Sequence, residues 1–303
     1  MTHDKHLVTK GWEDYELLDS GENMKLERFG KIVVARPETQ ALWAKRAPER
    51  WSETSAEFAF SNGKGSWTVT EVKPPLPPLS RLNLDNGWEM SRGPLKFIAR
   101  LSGFKHTGVF PEQEPNWIWI KDRVKALIAG GVEKPSVLNL FGYTGVATLA
   151  AAHAGAFVTH VDSSKQSLDY AHENARATGL AEGAIRWIPD DCLAFAKREA
   201  RRGAKYEGII LDPPAFGRGG KGEVWKIEED LPTLLAVLKE LLGEAPGSFF
   251  LISGYAAGYS PRAFSQAVES AFGETAGESG ELLIKESSTE RVVPAGIYTR
   301  FVK

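Results

Sequence analysis

Ser136-Val137-Leu138-Asn139-Leu140-Phe141-Gly142-Tyr143-Thr144-Gly145 joins a short apolar run to a glycine-bounded turn. The run has the length and composition of a buried strand. The turn leads into an alanine-rich helical pattern over residues 144–155, with Gly155 as its stop. Glycine lets a backbone pass close to a ligand with no Cβ in the way. In a doubly wound sheet the crevice beyond the carboxyl ends of the strands holds the ligand. A tight strand-to-helix turn without a ligand has the same appearance, so this stretch alone leaves both readings open.

Downstream, strand-like and helix-like segments alternate, which is the signature of a parallel α/β sheet. Strands are predicted over 157–161, 185–188, 206–211 and 248–253, and a final pair over 281–285 and 297–302. Helices are predicted over 164–179 with Ser163 or Ser164 as N-cap, 193–202, 225–242 and 261–272.

Upstream, short apolar stretches at 16–18, 31–34, 58–60 and 67–69 alternate with turn signals at Asp19-Ser20-Gly21 and Ser61-Asn62-Gly63. This predicts a small β-rich module with hairpins. Lys73-Pro74-Pro75-Leu76-Pro77-Pro78 can neither continue a helix nor pair in a central strand. The expected organisation is therefore a module over 1–73, a connector and β segment over 74–115, and a catalytic domain over 116–303. Trp43, Trp51, Trp67 and Trp88 interleave with Lys45, Arg46 and Arg50. Such interleaving suits single-stranded RNA, but also internal packing.

The 303 residues are 42% hydrophobic and 25% charged, with a formal net charge of -2. No apolar run reaches the ~18–20 residues of a membrane helix, and the N-terminus lacks a signal-like apolar stretch. Cys192 is the single cysteine, so an intrachain disulfide and a Cys-rich zinc site are both excluded. A reducing cytoplasmic setting is expected. The six histidines are scattered without metal-ligand spacing, so no metal is expected. The net charge speaks mildly against a nucleic-acid partner, although a local basic surface is compatible with it.

Three acidic segments follow predicted strands. Asp162 ends the second strand about twenty residues after the glycine turn, where a carboxylate accepts from a ribose diol; the alternative is a helix N-cap. Pro189-Asp190-Asp191-Cys192 follows the third. There Asp191 suits an adenine amino group and Cys192 supplies its backbone N–H, with plain helix capping as the alternative. Asp212-Pro213-Pro214-Ala215-Phe216 follows the fourth. Two prolines stiffen it and remove two donors, so carbonyls and the Asp212 carboxylate dominate its polarity. That suits a site accepting hydrogen bonds from a base amino or imino group.

These four segments, in this order, resemble class I S-adenosylmethionine-dependent methyltransferases. The forms Asn-Leu-Phe-x-Tyr-Thr-Gly and Asp-Pro-Pro-x-Phe are similar to those of bacterial large-subunit ribosomal RNA methyltransferases that modify cytosine-5 or guanine-7. Thr107-Gly108-Val109-Phe110-Pro111-Glu112-Gln113 resembles that group's segment entering the cofactor pocket. The resemblance is good over about residues 95–255 and poor in the N-terminal module. It implies an α/β Rossmann-like seven-stranded sheet, mostly parallel with an antiparallel final strand, beside a small N-terminal β-rich domain. It implies S-adenosyl-L-methionine as cofactor and RNA as substrate, with no membrane and no metal. By resemblance Asn139, Phe141, Gly142, Tyr143, Thr144 and Gly145 hold the methionine part, and Gln113 its amino-acid end. Asp162 and Ser163 hold the ribose, and Asp191 and Cys192 the adenine. Asp212, Pro213, Pro214 and Phe216 face the methyl acceptor, with Phe216 stacking on a base or packing in the core.

One departure matters. The cytosine-5 enzymes of that group need a cysteine just after the fifth strand, and this chain has Ile252-Ser253-Gly254-Tyr255 there. A covalent cysteine route is therefore not expected. Arg218 and Lys221 in the glycine-rich stretch 217–222 suggest either a loop contacting phosphates or a plain surface loop. The basic run 197–205 suits a helix C-terminus. A nicotinamide oxidoreductase would need Gly-x-Gly-x-x-Gly, which is missing. Methylation of a protein or small molecule, and a non-catalytic RNA-binding assembly factor, stay open.

Overall fold

The computed structural model describes residues 3–61, 64–69, 87–219, 222–255 and 258–303. The proline stretch 73–78 and the turn residues Asn62 and Gly63 lie outside the described residues. The chain divides into two compact units. The first comprises Met1–Leu7, Pro115–Leu282 and Gly296–Lys303; the second comprises Val8–Glu114 and Leu283–Ala295. The return of the C-terminal stretch 283–295 to the second unit is absent from the linear division into 1–73, 74–115 and 116–303.

The chain begins with two short strands, β1 (His3–Asp4) and β2 (Leu7–Thr9). A five-stranded sheet then runs in sequence order through β3 (Tyr15–Gly21), β4 (Met24–Phe29), β5 (Ile32–Pro37), β6 (Ala56–Ser61) and β7 (Lys64–Val69). Only the β5–β6 pairing is parallel. The expected turn at Asp19-Ser20-Gly21 is displaced. Those residues belong to β3, and the chain reverses at Glu22 and Asn23, whose φ angles are 55° and 61°. Asp19 is buried because its carboxylate accepts from the Trp51 indole at 2.8 Å and from the Ala47 N–H at 3.1 Å.

The tryptophans of this unit are tied internally. Trp88 Nε1 donates to the Phe29 carbonyl at 2.9 Å, and Lys45 Nζ sits 3.9 Å from the centre of the Trp51 ring. The packing reading of this aromatic and basic mixture therefore holds at those positions. Glu27 is fully buried and receives Arg36 and the Tyr15 hydroxyl. The Arg36 guanidinium and Lys25 hold its carboxyl down at about 2 against the upward push of burial. The hairpin β8 (Trp88–Arg92) and β9 (Leu95–Ala99) follows in the second unit.

The chain continues through α1 (Glu114–Ala129), β10 (Ser136–Leu140), α2 (Val146–His153), β11 (Phe157–Asp162), α3 (Lys165–Thr178), β12 (Ile185–Pro189), α4 (Cys192–Arg201) and β13 (Gly208–Leu211). There follow β14 (Phe216–Arg218), β15 (Val224–Lys226), α5 (Ile227–Leu241), β16 (Phe249–Gly254), α6 (Pro261–Phe272), β17 (Gly277–Lys285) and β18 (Val292–Val302). The main sheet has nine strands in the order β1-β17-β18-β16-β13-β10-β11-β12, with β2 also on β17. The expectation was seven. The two extra strands are the short N-terminal β1 and β2, whose pairing with β17 no local pattern announces. The β10, β11, β12, β13 and β16 ladders are parallel, and β18 runs antiparallel to β16.

Period-two alternation fills both faces of the sheet. Leu138, Leu140, Ile209, Leu211, Phe250 and Ile252 pack with Phe195 of α4 and Leu231, Leu234, Leu235 and Leu238 of α5. Val137, Val158, Ile210, Phe249 and Leu251 pack with Ile120, Val124 and Leu127 of α1. Each fully buried leucine stabilises by roughly 1.5–3 kcal/mol relative to exposure. Strands buried on both faces are what a parallel sheet requires. Several predicted bounds shift. Thr144 and Gly145 belong to the turn before α2, residues 224–226 pair as β15 before α5, and the last two strands are longer than predicted. Among the described residues no helix is long and apolar enough to cross a membrane.

Candidate functional site

The strand register sets a row of residues at one level. Leu140 pairs with Val161 and Leu211, Val161 with Ile188, and Leu211 with Ile252. The next residue of each strand therefore lines up side by side at the carboxyl ends: Phe141, Asp162, Pro189, Asp212 and Ser253, with Asp162 still paired to Pro189 and Ser253 to Tyr298. This brings all four sequence segments to one edge and adds Ser253.

The turn between β10 and α2 is backbone-strained. Phe141 has φ 54°, Tyr143 φ 49° and Gly145 φ 86°. A non-glycine residue in this left-handed region costs on the order of 1–2 kcal/mol, so the surroundings must hold it. The Phe141 N–H donates to Cys192 Sγ at 3.2 Å, the Gly142 N–H to the Val161 carbonyl at 3.1 Å, and the Tyr143 N–H to Asp162 Oδ2 at 2.9 Å. A Cβ on Gly142 would stand 2.4 Å from the His160 ring, so no other residue fits there without displacing it.

Below the turn lies a buried polar chain. Asn139 Nδ2 donates to Thr148 Oγ1 at 2.8 Å, and Thr148 Oγ1 lies 2.8 Å from His160 Nδ1. Burial drives the His160 pKa down to about 3, so the ring is neutral. The Asn139 side chain lies beneath the turn, within the core. Thr144 is buried, and its carbonyl accepts from Asn174 Nδ2 at 2.8 Å. Thr148 and His160 were missed as supports because a lone histidine in an apolar strand carries no spacing signal.

Asp162 is not the cap of the following helix. Ser164 is, with its Oγ accepting from the Ser167 N–H at 3.2 Å, while Ser163 beside it is exposed. Asp162 Oδ1 accepts from the Ser164 N–H at 2.8 Å. Burial raises its carboxyl pKa, opposed by the two N–H donors from Ser164 and Tyr143. A carboxylate offers about four acceptor sites, so two such bonds leave capacity for a diol.

At the end of β12 the capping alternative holds for Asp191. Its Oδ1 accepts from the Ala194 N–H at 2.8 Å as the N-cap of α4. Asp190 is committed to Arg198 and to the Asp191 N–H. The Cys192 thiol is buried and occupied by the Phe141 N–H, and burial raises its pKa well above the ordinary thiol value. As the first residue of α4, Cys192 is also one of the helix-start residues whose N–H groups have no intrahelical partner.

Asp212 is exposed by solvent access, yet protein mass surrounds it. Desolvation by the surrounding protein pushes its pKa up to about 6, while the Ser253 hydroxyl, which donates to it, acts in the opposite sense. Water reaching the carboxylate screens part of that push. Pro213 is buried, and the Pro214 carbonyl accepts from Trp225 Nε1 at 2.7 Å. Phe216 is 54% exposed, which removes the core alternative for it. Trp225 is buried and its ring centre lies 4.9 Å from that of Phe141. These gathered residues all belong to the first unit, whereas Gln113 ends the 3-10 turn Pro111–Gln113 of the second. Among the described residues no three His, Cys, Asp or Glu side chains gather in a metal-holding group.

A family model described as S-adenosylmethionine-dependent methyltransferase matches residues 22–264. The chain belongs to that family. The matched span reaches well into the N-terminal module, beyond the 95–255 suggested by the motifs. A SAM-dependent methyltransferase from Agrobacterium tumefaciens shares the structure with a TM-score of 0.88 at 37% identity, covering 99% of this chain and 95% of that one. A second protein, described as a methyltransferase and complexed with SAH, shares the fold with a TM-score of 0.67 at 19% identity, over 95% of this chain and 75% of that one. Among curated relatives, "Ribosomal RNA large subunit methyltransferase K/L" of Shewanella frigidimarina is 34% identical over 149 residues, 48% of this chain and 20% of that protein. Its namesake from Syntrophotalea carbinolica is 32% identical over 168 residues, 55% of this chain and 22% of that protein. The chain thus spans about a fifth of the length of these curated relatives. As a member of this methyltransferase family it has S-adenosylmethionine as its cofactor.

Proposed function

We propose that this methyltransferase transfers a methyl group from S-adenosyl-L-methionine to a base of ribosomal RNA, in the cytoplasm, without a covalent cysteine intermediate. The observation that carries the proposal is the row of Phe141, Asp162, Asp212 and Ser253 along one sheet edge.

The donor set fits the cofactor. Asp162 is a carboxylate with spare acceptor sites for a ribose diol, and the strained turn 141–145 brings glycine backbone to the crevice. Ser163 lies next to the ribose position. Asp191 and the Cys192 N–H meet the adenine in this reading, with Asp191 serving as cap and acceptor through different acceptor sites. Phe141, Gly142, Tyr143, Thr144 and Gly145 shape the methionine end, with Asn139 acting from below.

When bound, the cofactor supplies an electrophilic methyl group on a sulfonium, and the protein's task is orientation and electrostatics. The Asp212 carboxylate accepts a hydrogen bond from an amino or imino proton of the acceptor base, which aims the nucleophilic lone pair. Ser253 donates to Asp212 and favours its ionised, accepting form against the larger upward push of burial. Pro213 and Pro214 hold this carboxylate on a stiff segment, and the exposed Phe216 ring offers a face for a base to stack on, worth about 1–3 kcal/mol. The only thiol is buried beneath the turn, which leaves no cysteine to attack a base.

The support for RNA is the exposed aromatic beside an accepting carboxylate, together with the names of the partial relatives. The test is incubation of the purified chain with unmodified ribosomal RNA and methyl-labelled S-adenosylmethionine, followed by nucleoside mass spectrometry. One methylated base is expected. Absence of label in RNA, with label in protein or small molecules of the same extract, would overturn the substrate assignment.

A further inference from the structure

Of the stretch 217–222, Gly220 and Lys221 lie outside the described residues, whereas Phe216–Arg218 and Val224–Lys226 pair as a hairpin with two distinct faces. Phe216 pairs with Lys226, Gly217 with Trp225, and Arg218 with Val224. Directly opposed residues share a face, and alternate residues along a strand do too. Phe216, Arg218, Val224 and Lys226 therefore form one face, and Gly217 and Trp225 the other. The second face is anchored, because Trp225 is buried against Phe141 and bonded to the Pro214 carbonyl. The first is open: Phe216 is 54% exposed, Val224 is 50% exposed, and both cations are exposed.

A two-stranded ribbon this short is not stable alone, so the Trp225 anchor fixes which way the open face points. That face carries two large apolar side chains and two cations, with no carboxylate among its four residues. The Arg218 guanidinium lies 5.9 Å from the Phe216 ring centre, a cation–π spacing. Lys226 Nζ contacts Glu229 at 2.8 Å, with both groups exposed. Such an exposed pair contributes little, and the carboxylates of Glu228 and Asp230 also act on Lys226. Phe216 stands four residues from Asp212 across the segment that holds Pro213 and Pro214.

We infer that the open face of the β14–β15 hairpin docks the single-stranded RNA segment flanking the target base. Phe216 and Val224 lie against bases, and Arg218 and Lys226 meet phosphates. Single-stranded RNA is the fitting partner because only unstacked bases expose faces to aromatic and aliphatic side chains. This rests on the RNA-methyltransferase reading above.

The test uses the full chain and a fluorescent single-stranded oligoribonucleotide, read by anisotropy across a salt series. Two phosphate contacts at about 0.7 each predict that R218A/K226A lowers the slope of log affinity against log salt by about 1.4. V224S should weaken binding with the slope unchanged. Cofactor affinity should match the unaltered chain in both. If both variants bind with unaltered affinity and slope while the unaltered chain methylates ribosomal RNA, the docking face is wrong and the activity reading stands. Tighter binding of duplex than of single strand by the unaltered chain also overturns the docking face. If the unaltered chain neither binds nor methylates RNA, both readings fall.

Discussion

Trp225 Nε1 donates to the Pro214 carbonyl at 2.7 Å while the same ring packs on Phe141. One indole thus ties the proposed acceptor segment to the proposed cofactor turn. Neither contact is visible in sequence spacing, since Trp225 lies eleven residues beyond Pro214 and far from Phe141.

Trp225→Phe keeps the ring but removes the donor. Losing one such bond costs about 1 kcal/mol, equivalent to roughly a five- to tenfold loss in rate if it acts on the transition state. The expected outcome is a fall in kcat of that size with cofactor Kd unchanged, read by single-turnover methyl transfer and calorimetry. An equal loss in both would mean that Trp225 acts only through general packing.

Asp162→Asn replaces an acceptor of two backbone N–H groups with a side chain that presents one acceptor and one donor end. Hydrogen bonds to a charged partner are worth about 1.5–3 kcal/mol each, so cofactor Kd should rise by roughly 10- to 100-fold. Calorimetric titration checks this. An unchanged Kd would remove Asp162 from the ribose position.

The raised Asp212 pKa gives a pH limb. Its accepting form is the ionised one, so single-turnover rate should climb as pH rises through about 6, and Asp212→Asn should be slow and lack that limb. Stability runs the other way. A carboxyl whose pKa is higher folded than unfolded contributes stability below its unfolded value near 3.8, and loses that contribution as pH rises through about 6. A rate profile flat from pH 5 to pH 8 would contradict the role.

Cys192 is buried, accepts the Phe141 N–H and has a raised pKa. Native protein should therefore resist iodoacetamide, and the denatured chain should take up one adduct, counted by intact mass. Rapid alkylation of the folded chain, with loss of methyl transfer, would return the thiol to consideration as a nucleophile.

Much of the first unit is legible in the sequence because buried strands and glycine-bounded helices declare themselves by period. The parallel order then follows, and Asp162 and Asp212 fall at strand ends by counting. The hairpin β14–β15 is not legible. Its strands are three residues each, and its glycine-rich stretch and Trp225 read as loop and helix start. Alternation along β10 turns the Asn139 side chain into the core, onto Thr148. Asp19-Ser20-Gly21 reads as a turn by composition. The Trp51 indole and the Ala47 N–H satisfy Asp19 inside the sheet, so β3 runs on to Gly21.

The central claim is that the carboxyl ends of β10 to β13 hold S-adenosylmethionine beside Asp212. Calorimetric titration of the purified chain with S-adenosylmethionine tests it most directly. Saturable one-site binding is expected, with Kd in the range of about 1 μM to 1 mM usual for enzyme substrates, and with Asp162→Asn binding more weakly. No heat of binding at millimolar nucleotide, or equal binding by Asp162→Asn and the unaltered chain, would contradict it.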